Sequence, residues 1–433
     1  MTTFPKSFGG LALGTIIALG TTAVSPRAQA AIGTLDRVPA ATLLLPYFEV
    51  DLDDPNGPQT RFTIVNASPD PTLAHATLWT DTGVPTFALD VYVGGRGSVE
   101  VDLRLLFSGV VPQTSPGAFA AGPDSTPHVA VPNCPLAASA LYSGMPAPAR
   151  LSDNQIAHLR AAHTGQASAA FGNMCSAAAH GDNIARGYVT IDAANSCSSG
   201  FPTDPGYFVN GGLGIASNAN VLFGQYTAIE RDDNVTAASP LVSLEASSTD
   251  PITSTAGSYT FYAGYVGATA ADNREPLGTV WDARYINTGF FAVFDPGTQI
   301  VAWRDPGFPH SAFACGALPA DFPRYQAEVA AFDELENPMI LDSIDFYPNP
   351  QPPPTYAFAL VTQRTPATVV SPFSSGFLRL NLNTTPPGVV ASSTGKLQSY
   401  VAVRQRYNGR FGAEVPATYL AGPQDTYQPT IGN

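Results

Sequence analysis

Alternating apolar and polar residues predict β-strands in the first part of the chain. In SVEVDL (98–103) the valines and the leucine fall on one face, and the two acids fall on the other. This period of two is typical of a strand with one buried face. Similar runs, separated by turns rich in Gly, Pro and Asp, occur at 60–68, 74–81 and 84–93. A sheet of such strands buries its apolar face against a second layer, which predicts a β-sandwich.

A second β-rich region spans residues 255–420. SYTFYAGYVGA (258–268) is aromatic and strand-like, and FFAVF (290–294) with QIVAWR (299–304) predicts a hairpin around Asp-Pro-Gly. LQSYVAVRQRY (397–407) runs into Asn-Gly, the strongest short hairpin signal. This region therefore predicts a second sandwich.

One segment between the two regions predicts a helix. SDNQIAHLRAAHTG (152–165) begins with Ser152 as N-cap, has Gln155 as the capping-box partner, and ends at Gly165. GYVTIDAA (187–194) then returns to a strand pattern. We interpret the helical segment as an insertion into an otherwise β-rich chain.

The predicted fold class is all-β, with two immunoglobulin-like β-sandwich domains and a loop-and-helix insertion. The predicted division is a signal peptide, the first sandwich, the insertion and the second sandwich, at 1–30, 31–110, 111–200 and 201–433.

The two β-rich regions share features that a duplication would explain. Trp79 to Asp81 and Trp303 to Asp305 each form a strand end with Trp-x-Asp, followed by a turn. Each region also contains a Gly-led strand, at 97–107 and 374–383. Convergent turn chemistry explains the same features, so both alternatives stay open at this point.

The first thirty residues have the pattern of a signal peptide. Lys6 precedes the apolar run 11–19, and Ala28 and Ala30 form the small-x-small cleavage pattern, which predicts Ala31 as the mature N-terminus. No later segment approaches the ~20 apolar residues of a transmembrane helix. We expect a secreted or extracellular protein, with the periplasm as the alternative and no transmembrane segment in the mature chain.

Composition and charge narrow the possible partners. Charged residues make up 12% of the chain, about half of the usual ~25%, and the net charge is −14. Hydrophobic residues at 44% argue against disorder. A negative chain without a basic cluster repels nucleic acid and anionic lipid, so neither is expected as a partner.

The four cysteines suggest disulfides. They are Cys134, Cys175, Cys197 and Cys315, and none has the spacing of a zinc ribbon, a redox motif or a haem site. An even number in an oxidising compartment predicts two disulfide bonds. We expect Cys134 to pair with Cys175 around the helix, and Cys197 to pair with Cys315.

The acidic stretch DLDDPNG (51–57) has two interpretations. Asp51, Asp53 and Asn56 supply oxygen atoms at a spacing that suits a short calcium loop. An EF-type loop would need an acid at position 62, which is a phenylalanine. The stretch also has the composition of a tight turn in a hairpin, and the hairpin is the favoured prediction.

Catalytic motifs give little support for an enzyme. GxSxG and HExxH do not occur, no catalytic residue is assigned, and no cofactor is expected. His180 with Asp182 is the most catalytic-looking cluster, although a histidine in a surface loop is the favoured interpretation. Carboxylates for glycoside hydrolysis are the alternative, from Asp333, Glu334 and Glu336 together with Glu230, Asp232 and Asp233. Exposed tyrosines in 258–265 and around Tyr207 would suit saccharide binding.

Several stretches together resemble a group of exported bacterial proteins without an assigned activity. They are LLLPYFEVDLDDPNG, the Asn-x-Ser strand with LWTD, ARGYVTID, DPGYFVNGGLG, WRDPG and SSGFLRLNLN. The resemblance covers most of the mature chain and implies export and an all-β fold.

The sequence therefore favours an exported, non-catalytic surface, structural or binding protein, with a saccharide or a cell-surface protein as its partner. The alternative is a secreted hydrolase that acts on polysaccharide or ester substrates.

Overall fold

Strands dominate the chain, as the alternating pattern predicts. The computed structural model describes residues 37–112, 150–209, 212–231, 234–246, 260–266, 272–287, 296–316, 318, 328–343, 358–382, 398–407 and 412–422. These residues are mostly in antiparallel β-sheets, so the all-β prediction is confirmed.

The strands among the described residues fall into two sets of nine along the chain. The first half contains β1 Thr42–Asp51, β2 Gln59–Asn66, β3 Thr72–Thr80, β4 Pro85–Val93, β5 Ser98–Asp102, β6 Ile184–Ala194, β7 Leu222–Glu230, β8 Val235–Pro240 and β9 Val242–Leu244. The second half contains β10 Val280–Ile286, β11 Pro296–Arg304, β12 Glu328–Phe332, β13 Pro338–Ser343, β14 Thr362–Pro366, β15 Ser375–Asn381, β16 Ser399–Tyr407, β17 Gly412–Pro416 and β18 Thr418–Ala421. The short helices are α1 Leu103–Phe107, α2 Asp153–His163, α3 Ala263–Val266 and α4 Ala367–Val370.

The two halves repeat one topology. In the first half, sheet A has the order β5-β2-β7-β8 and sheet B the order β4-β3-β6-β1-β9. In the second half, sheet C has the order β13-β12-β15-β10-β18 and sheet D the order β14-β11-β16-β17. Adding nine to each strand number of sheet A gives sheet D, and the same addition turns sheet B into sheet C. The described strands thus support the duplication alternative.

Equivalent strands also match in register. Gly187 of β6 and Gly376 of β15 are equivalent, and a Cβ on either would meet a backbone oxygen of the neighbouring strand at 2.0 Å and 1.9 Å. The next residue in each half stacks an aromatic ring on its cross-strand neighbour: Tyr188 on Trp79, and Phe377 on Phe332. The repeat therefore extends to single positions.

The four-stranded sheets match as closely. Asp102 ends β5 as the N-cap of α1, and Pro366 ends β14 as the N-cap of α4. In that register Thr63 is equivalent to Val301, and the two prolines that close β8 and β17, Pro240 and Pro416, are equivalent.

The motifs that suggested the duplication are not the equivalent ones. Trp79 ends β3, whereas Trp303 ends β11, the counterpart of β2. The stretch 97–107 forms β5 and helix α1, so the predicted strand is wrong after Asp102. The true counterpart of GFLRLN (376–381) is GYVTID (187–192).

Sheet B is buried on both faces. Leu43 and Leu45 of β1 pack in the core shared with sheet A, whereas Leu44 packs in the core that includes both sheets of the second half. Tyr188 lies on the side of Leu44 and contacts Trp303 of sheet D at a ring distance of 6.0 Å. Burial on both faces explains why TLLLPYF is a continuous apolar run.

The corresponding face of sheet C carries charged residues. By register, Asp282 takes the place of Leu44 and Arg379 takes the place of Thr190. Arg379 Nε and Asp282 Oδ1 form a partly exposed ion pair at 2.8 Å. The two five-stranded sheets thus share a strand order but differ in what covers them.

The sheets do not follow the predicted division into 31–110, 111–200 and 201–433. Strand β6 lies within the predicted insertion but pairs with β1 and β3, because its apolar residues fill both faces of sheet B. Strands β7 to β9 lie within the predicted second domain but pair with β2 and β1. The described residues, from 37 to 422, belong to one compact unit.

The predicted helix is confirmed as α2. Ser152 is its N-cap, and the capping box with Gln155 is present. The helix lies in the connection 108–183 between α1 and β6, where the second half has only residues 371–374 between α4 and β15. The helical segment is therefore an insertion relative to the repeat.

Two other predictions on elements have different outcomes. The aromatic stretch 258–268 was predicted as a strand, but Ala263–Val266 form helix α3, and Phe261 and Tyr262 are buried beside it. Strands β16 and β17 pair as the Asn-Gly hairpin predicts, although the turn itself lies outside the described residues. FFAVF (290–294) also lies outside them.

The predicted cysteine pairing is wrong. Cys175 is bonded to Cys315, at a sequence separation of 140 residues. Cys197 is also disulfide-bonded, and Cys134 lies outside the described residues. Cys175 lies in the insertion and exchanges backbone hydrogen bonds of 2.8 and 2.9 Å with Phe313, so the bond fastens the insertion to the second half. Spacing along the chain gave no information about this long-range contact.

Candidate binding cleft between the two halves

The acidic stretch 51–57 forms a turn, but not a hairpin. It connects β1 of sheet B to β2 of sheet A, so the hairpin prediction is wrong. Asp51 Oδ1 accepts hydrogen bonds from the backbone N–H groups of Asp53 and Asp54 at 2.9 and 2.8 Å. Asp53 contacts Asn183 and Arg160, and the backbone N–H of Asn56 donates to Asp54. The calcium candidates are therefore engaged in turn and insertion contacts.

The glycosidase carboxylates are not brought together. Asp333 caps its own turn by accepting from the N–H groups of Leu335 and Asn337. Glu334 pairs with Arg284 on the surface at 3.3 Å. Glu230 is buried among arginines, and Asp232 and Asp233 lie outside the described residues.

Three of the tyrosines proposed for saccharide binding are buried, and Tyr259 lies outside the described residues. Tyr207, Tyr262 and Tyr265 are at most 6% exposed. Tyr207 and Tyr262 donate to the buried carboxylate of Asp192 at 2.7 and 3.0 Å. These rings therefore hold the core together, and a saccharide would need another surface.

A polar cleft of 260 Å³ lies where the two halves meet. The first half and its insertion contribute one wall, and β11 with the region of β14 contributes the other. The lining residues are Tyr47, Glu49, Asp81, His180, Arg186, Gln299, Leu360, Thr362, Gln363, Arg364 and Pro366. Ligand sites commonly form at such junctions, because two scaffolds supply converging groups.

Glu49 organises the centre of the cleft. Its Oε2 pairs with Arg364 Nη2 at 2.6 Å, and its Oε1 lies 3.4 Å from Arg186 Nε and accepts from the Tyr47 hydroxyl at 2.6 Å. Burial raises the pKa of Glu49, but Arg364 and the other neighbours outweigh it and hold the pKa below its ordinary value. Glu49 is thus ionised and shared between the halves.

Behind the cleft, the ion pairs continue into a buried network. Glu230 of sheet A contacts Arg364 at 2.5 Å, Arg404 at 3.4 Å and Arg406, all from sheet D. Burial raises the pKa of Glu230, but the three guanidinium charges outweigh it and lower the pKa to about 2. Arg404 also pairs with Glu414 at 2.6 Å. The network joins sheet A to sheet D and fixes Arg364 from behind.

His180 pairs with Asp81, and not with Asp182 as the sequence suggests. Its Nε2 lies 2.8 Å from Asp81 Oδ2, and Asp81 Oδ1 accepts from the N–H of Ala178 at 3.0 Å. Asp182 forms a bidentate ion pair with Arg186 instead, with two contacts of 2.8 Å. The histidine is about one third exposed, at 31%, whereas Asp81 is buried. The cleft therefore carries an Asp–His pair at its edge.

Gln299 of β11 lines the cleft and has a side-chain acceptor that is unpaired among the described residues. Its side chain is half-buried in β11, and its Oε1 has no hydrogen-bond partner within the described part of the chain. A buried carbonyl oxygen without a donor is costly, so the position favours a ligand that carries hydroxyl or N–H groups.

The charges at the centre of the cleft are mutually neutralised. Glu49 faces Arg364 and Arg186, and Arg186 faces Asp182. A free ion would have to break one of these pairs, whereas a neutral polar ligand can add hydrogen bonds without doing so. The arrangement suits an uncharged ligand rich in hydroxyl groups.

Sequence reasoning missed Glu49, Arg186 and Arg364. Glu49 and Arg186 are charged residues within strands that are otherwise largely buried, whereas Arg364 lies in a short strand of mixed burial. Since charged side chains are almost never buried without a partner, this pattern signals buried ion pairs. It does not reveal which strands supply the partners.

Comparison of the chain with known protein families, curated proteins and solved structures finds no match. Among the described helices, none has the length and apolar character needed to cross a membrane.

Proposed function

We propose that this protein is an exported, non-catalytic binding protein that holds a small, uncharged, polyhydroxylated ligand of the saccharide class in the cleft between its halves. The observation that carries the proposal is the neutralised, hydrogen-bonding lining of that cleft, with Gln299 Oε1 as an acceptor still in need of a donor. The disulfide between Cys175 and Cys315 supports export, since such bonds persist in oxidising compartments.

Rigidity favours binding over turnover. The cleft walls are joined by the Glu49–Arg364 ion pair and by backbone hydrogen bonds from Val361 and Thr362 to Asp81 O at 2.9 and 3.2 Å. A preformed site loses little entropy on binding, which is how small ligands are held without a large interface.

Thermal unfolding with a panel of sugars and polyols tests the proposal. A ligand at about ten times its Kd should raise the melting temperature by about 1–2 °C, because it binds only the folded state. Gln299→Leu should abolish that rise, whereas Gln166→Leu, an exposed residue away from the cleft, should preserve it. A rise that survives Gln299→Leu, or no rise with any sugar, contradicts the assignment.

A secreted hydrolase is the second candidate, and the Asp81–His180 pair favours it. A histidine oriented by a buried carboxylate can activate a water molecule as a general base. Purified protein would then turn over ester or glycoside substrates, and His180→Ala would abolish turnover with an unchanged melting temperature. Absence of turnover on both substrate classes leaves the binding proposal as the better account.

A further inference from the structure

A second groove lies on the outer face of sheet A, away from the cleft. It encloses about 410 Å³ and runs across β2, β7 and β8. Its floor consists of cross-strand neighbours: Phe223 pairs with Val65, and Gln225 pairs with both Thr63 and Pro240. Side chains that alternate along a strand share a face, so these groups form one continuous surface.

The groove combines one aromatic ring with neutral polar groups. Phe223 is 39% exposed although it lies in the middle of the sheet. Gln225 and Thr63 supply an amide and a hydroxyl beside the ring. Arg37 is the only ionisable residue among the described residues that line the groove. A ring flanked by hydrogen-bonding groups matches the chemistry of a sugar, which has an apolar face and a polar edge.

The second half shows what this face can accept. The residues equivalent to Val65 and Phe223 are Trp303 and Tyr400, by the register of β11 and β16. Both are buried, and the ring of Tyr188 meets Trp303 edge-on at a centroid distance of 6.0 Å. In the first half the same positions are open. The exterior of the first half therefore carries a surface whose counterpart in the second half packs against an aromatic ring.

We propose that this outer groove is a glycan-binding site, in which successive sugar units of a neutral polysaccharide lie along the face of sheet A and one unit stacks on Phe223. Gln225 and Thr63 hydrogen-bond to the hydroxyl groups of the sugar. The site is independent of the cleft, because none of its lining residues belongs to the cleft.

Electrophoresis in gels that contain soluble polysaccharides tests this site. Neutral glucans, mannans and xylans form one arm, and uronic-acid polymers form the other. We expect at least one polymer to retard the mature protein. Phe223→Ala should lower the association constant at least tenfold. Phe308→Ala provides the matched control, since Phe308 is 44% exposed and lies outside both the groove and the cleft.

Gln225→Ala keeps the test decisive if Phe223→Ala lowers the melting temperature, and it should weaken retardation several-fold. Retardation of Phe308→Ala should equal that of the unmodified protein. Equal retardation of the Phe223 and Phe308 variants overturns the proposal, as does unretarded migration in every polymer. Thermal shifts produced by small sugars in the cleft should not change in Phe223→Ala, so failure of one site is distinguishable from failure of the other.

Discussion

Sheets B and C have the same strand order, yet their outer faces have different surroundings. Leu44, Trp79 and Tyr188 of sheet B are buried against the second half. Asp282 and Arg379 occupy the positions in sheet C that correspond to Leu44 and Thr190, and they form a partly exposed ion pair. The strand order is thus the same in both halves. The side chains differ on the outer faces of the two sheets, which have different neighbours.

The comparison also locates the cleft. Its walls come from both halves, and the insertion found only in the first half contributes His180. Neither sandwich alone contains the set Glu49, Arg186 and Arg364. A duplicated fold acquires a site at the junction because only the junction combines side chains from both copies.

The largest expected effect concerns the link between the halves. Replacing both Cys175 and Cys315 by serine should lower the free energy of unfolding by about 4–5 kcal/mol, because the bond closes a loop with a sequence separation of 140 residues. Urea unfolding followed by tryptophan fluorescence measures this, since Trp79 lies in the first half and Trp281 and Trp303 lie in the second. A loss below about 1 kcal/mol would mean that the halves hold together without the bond.

Removing the charge of Glu230 should have the next largest effect. Glu230→Gln removes the carboxylate that Arg364, Arg404 and Arg406 share, and we expect a loss of about 3 kcal/mol, because Arg364 keeps only Glu49 and Arg404 keeps only Glu414 as a nearby buried carboxylate. Glu100→Gln is the control. Its side chain is 58% exposed beside Arg61, and it should change stability by less than about 0.5 kcal/mol. Equal effects in chemical denaturation would contradict the role assigned to the network.

The equivalent glycines test the repeat directly. Gly187→Ala and Gly376→Ala place a methyl group 2.0 and 1.9 Å from the backbone oxygens of Trp79 and Phe332. Each should cost about 2–3 kcal/mol, with Gly376→Ala the more costly because its φ is +150°. Melting temperatures of the two variants provide the comparison. If either glycine tolerates alanine, the two positions are not structurally equivalent.

The smallest expected effect depends on pH and is confined to the first half. Burial lowers the pKa of His163, in the insertion helix, to about 4, whereas an unfolded histidine titrates near ~6.5. The contribution of neutral His163 to the free energy of unfolding is therefore complete above about pH 6.5, and it is lost as the pH falls to about 4. At pH 5 the loss should be about 2 kcal/mol relative to pH 7.5. In His163→Gln, the free energy of unfolding should not show this loss between pH 7.5 and pH 5.

Local signals in the sequence predicted local structure. Ser152 and Gln155 predicted the insertion helix, and Asn-Gly at 408–409 predicted the pairing of β16 with β17, because these interactions join residues close in the chain. Long-range contacts had no such signal. His180 and Asp81 are 99 residues apart, and Arg406 and Glu230 are 176 apart. The cleft depends on these distant contacts, so its position did not follow from the sequence.

The sequence signal for the duplication was weaker than that for local structure, but it was not absent as it was for the long-range contacts. GYVTID (187–192) and GFLRLN (376–381) share a glycine, an aromatic residue and an alternating pattern, so a sequence signal was present. It was obscured because the burial of sheet B on both faces changed the residues between the shared positions. Trp79 and Trp303 suggested a different alignment, which the strand order contradicts.

The polar face of sheet C has a consequence for self-assembly. Inside the molecule, the outer face of sheet B covers the outer face of sheet D, and these two faces are not equivalent. Pairings of unlike faces that do not close into a ring can continue indefinitely and produce filaments. The remaining unlike faces, on sheets A and C, carry polar groups such as Thr63, Gln225, Asp282 and Arg379. We expect polar residues on these faces to disfavour the stacking of a further copy, as polar terminal units do in repeat proteins.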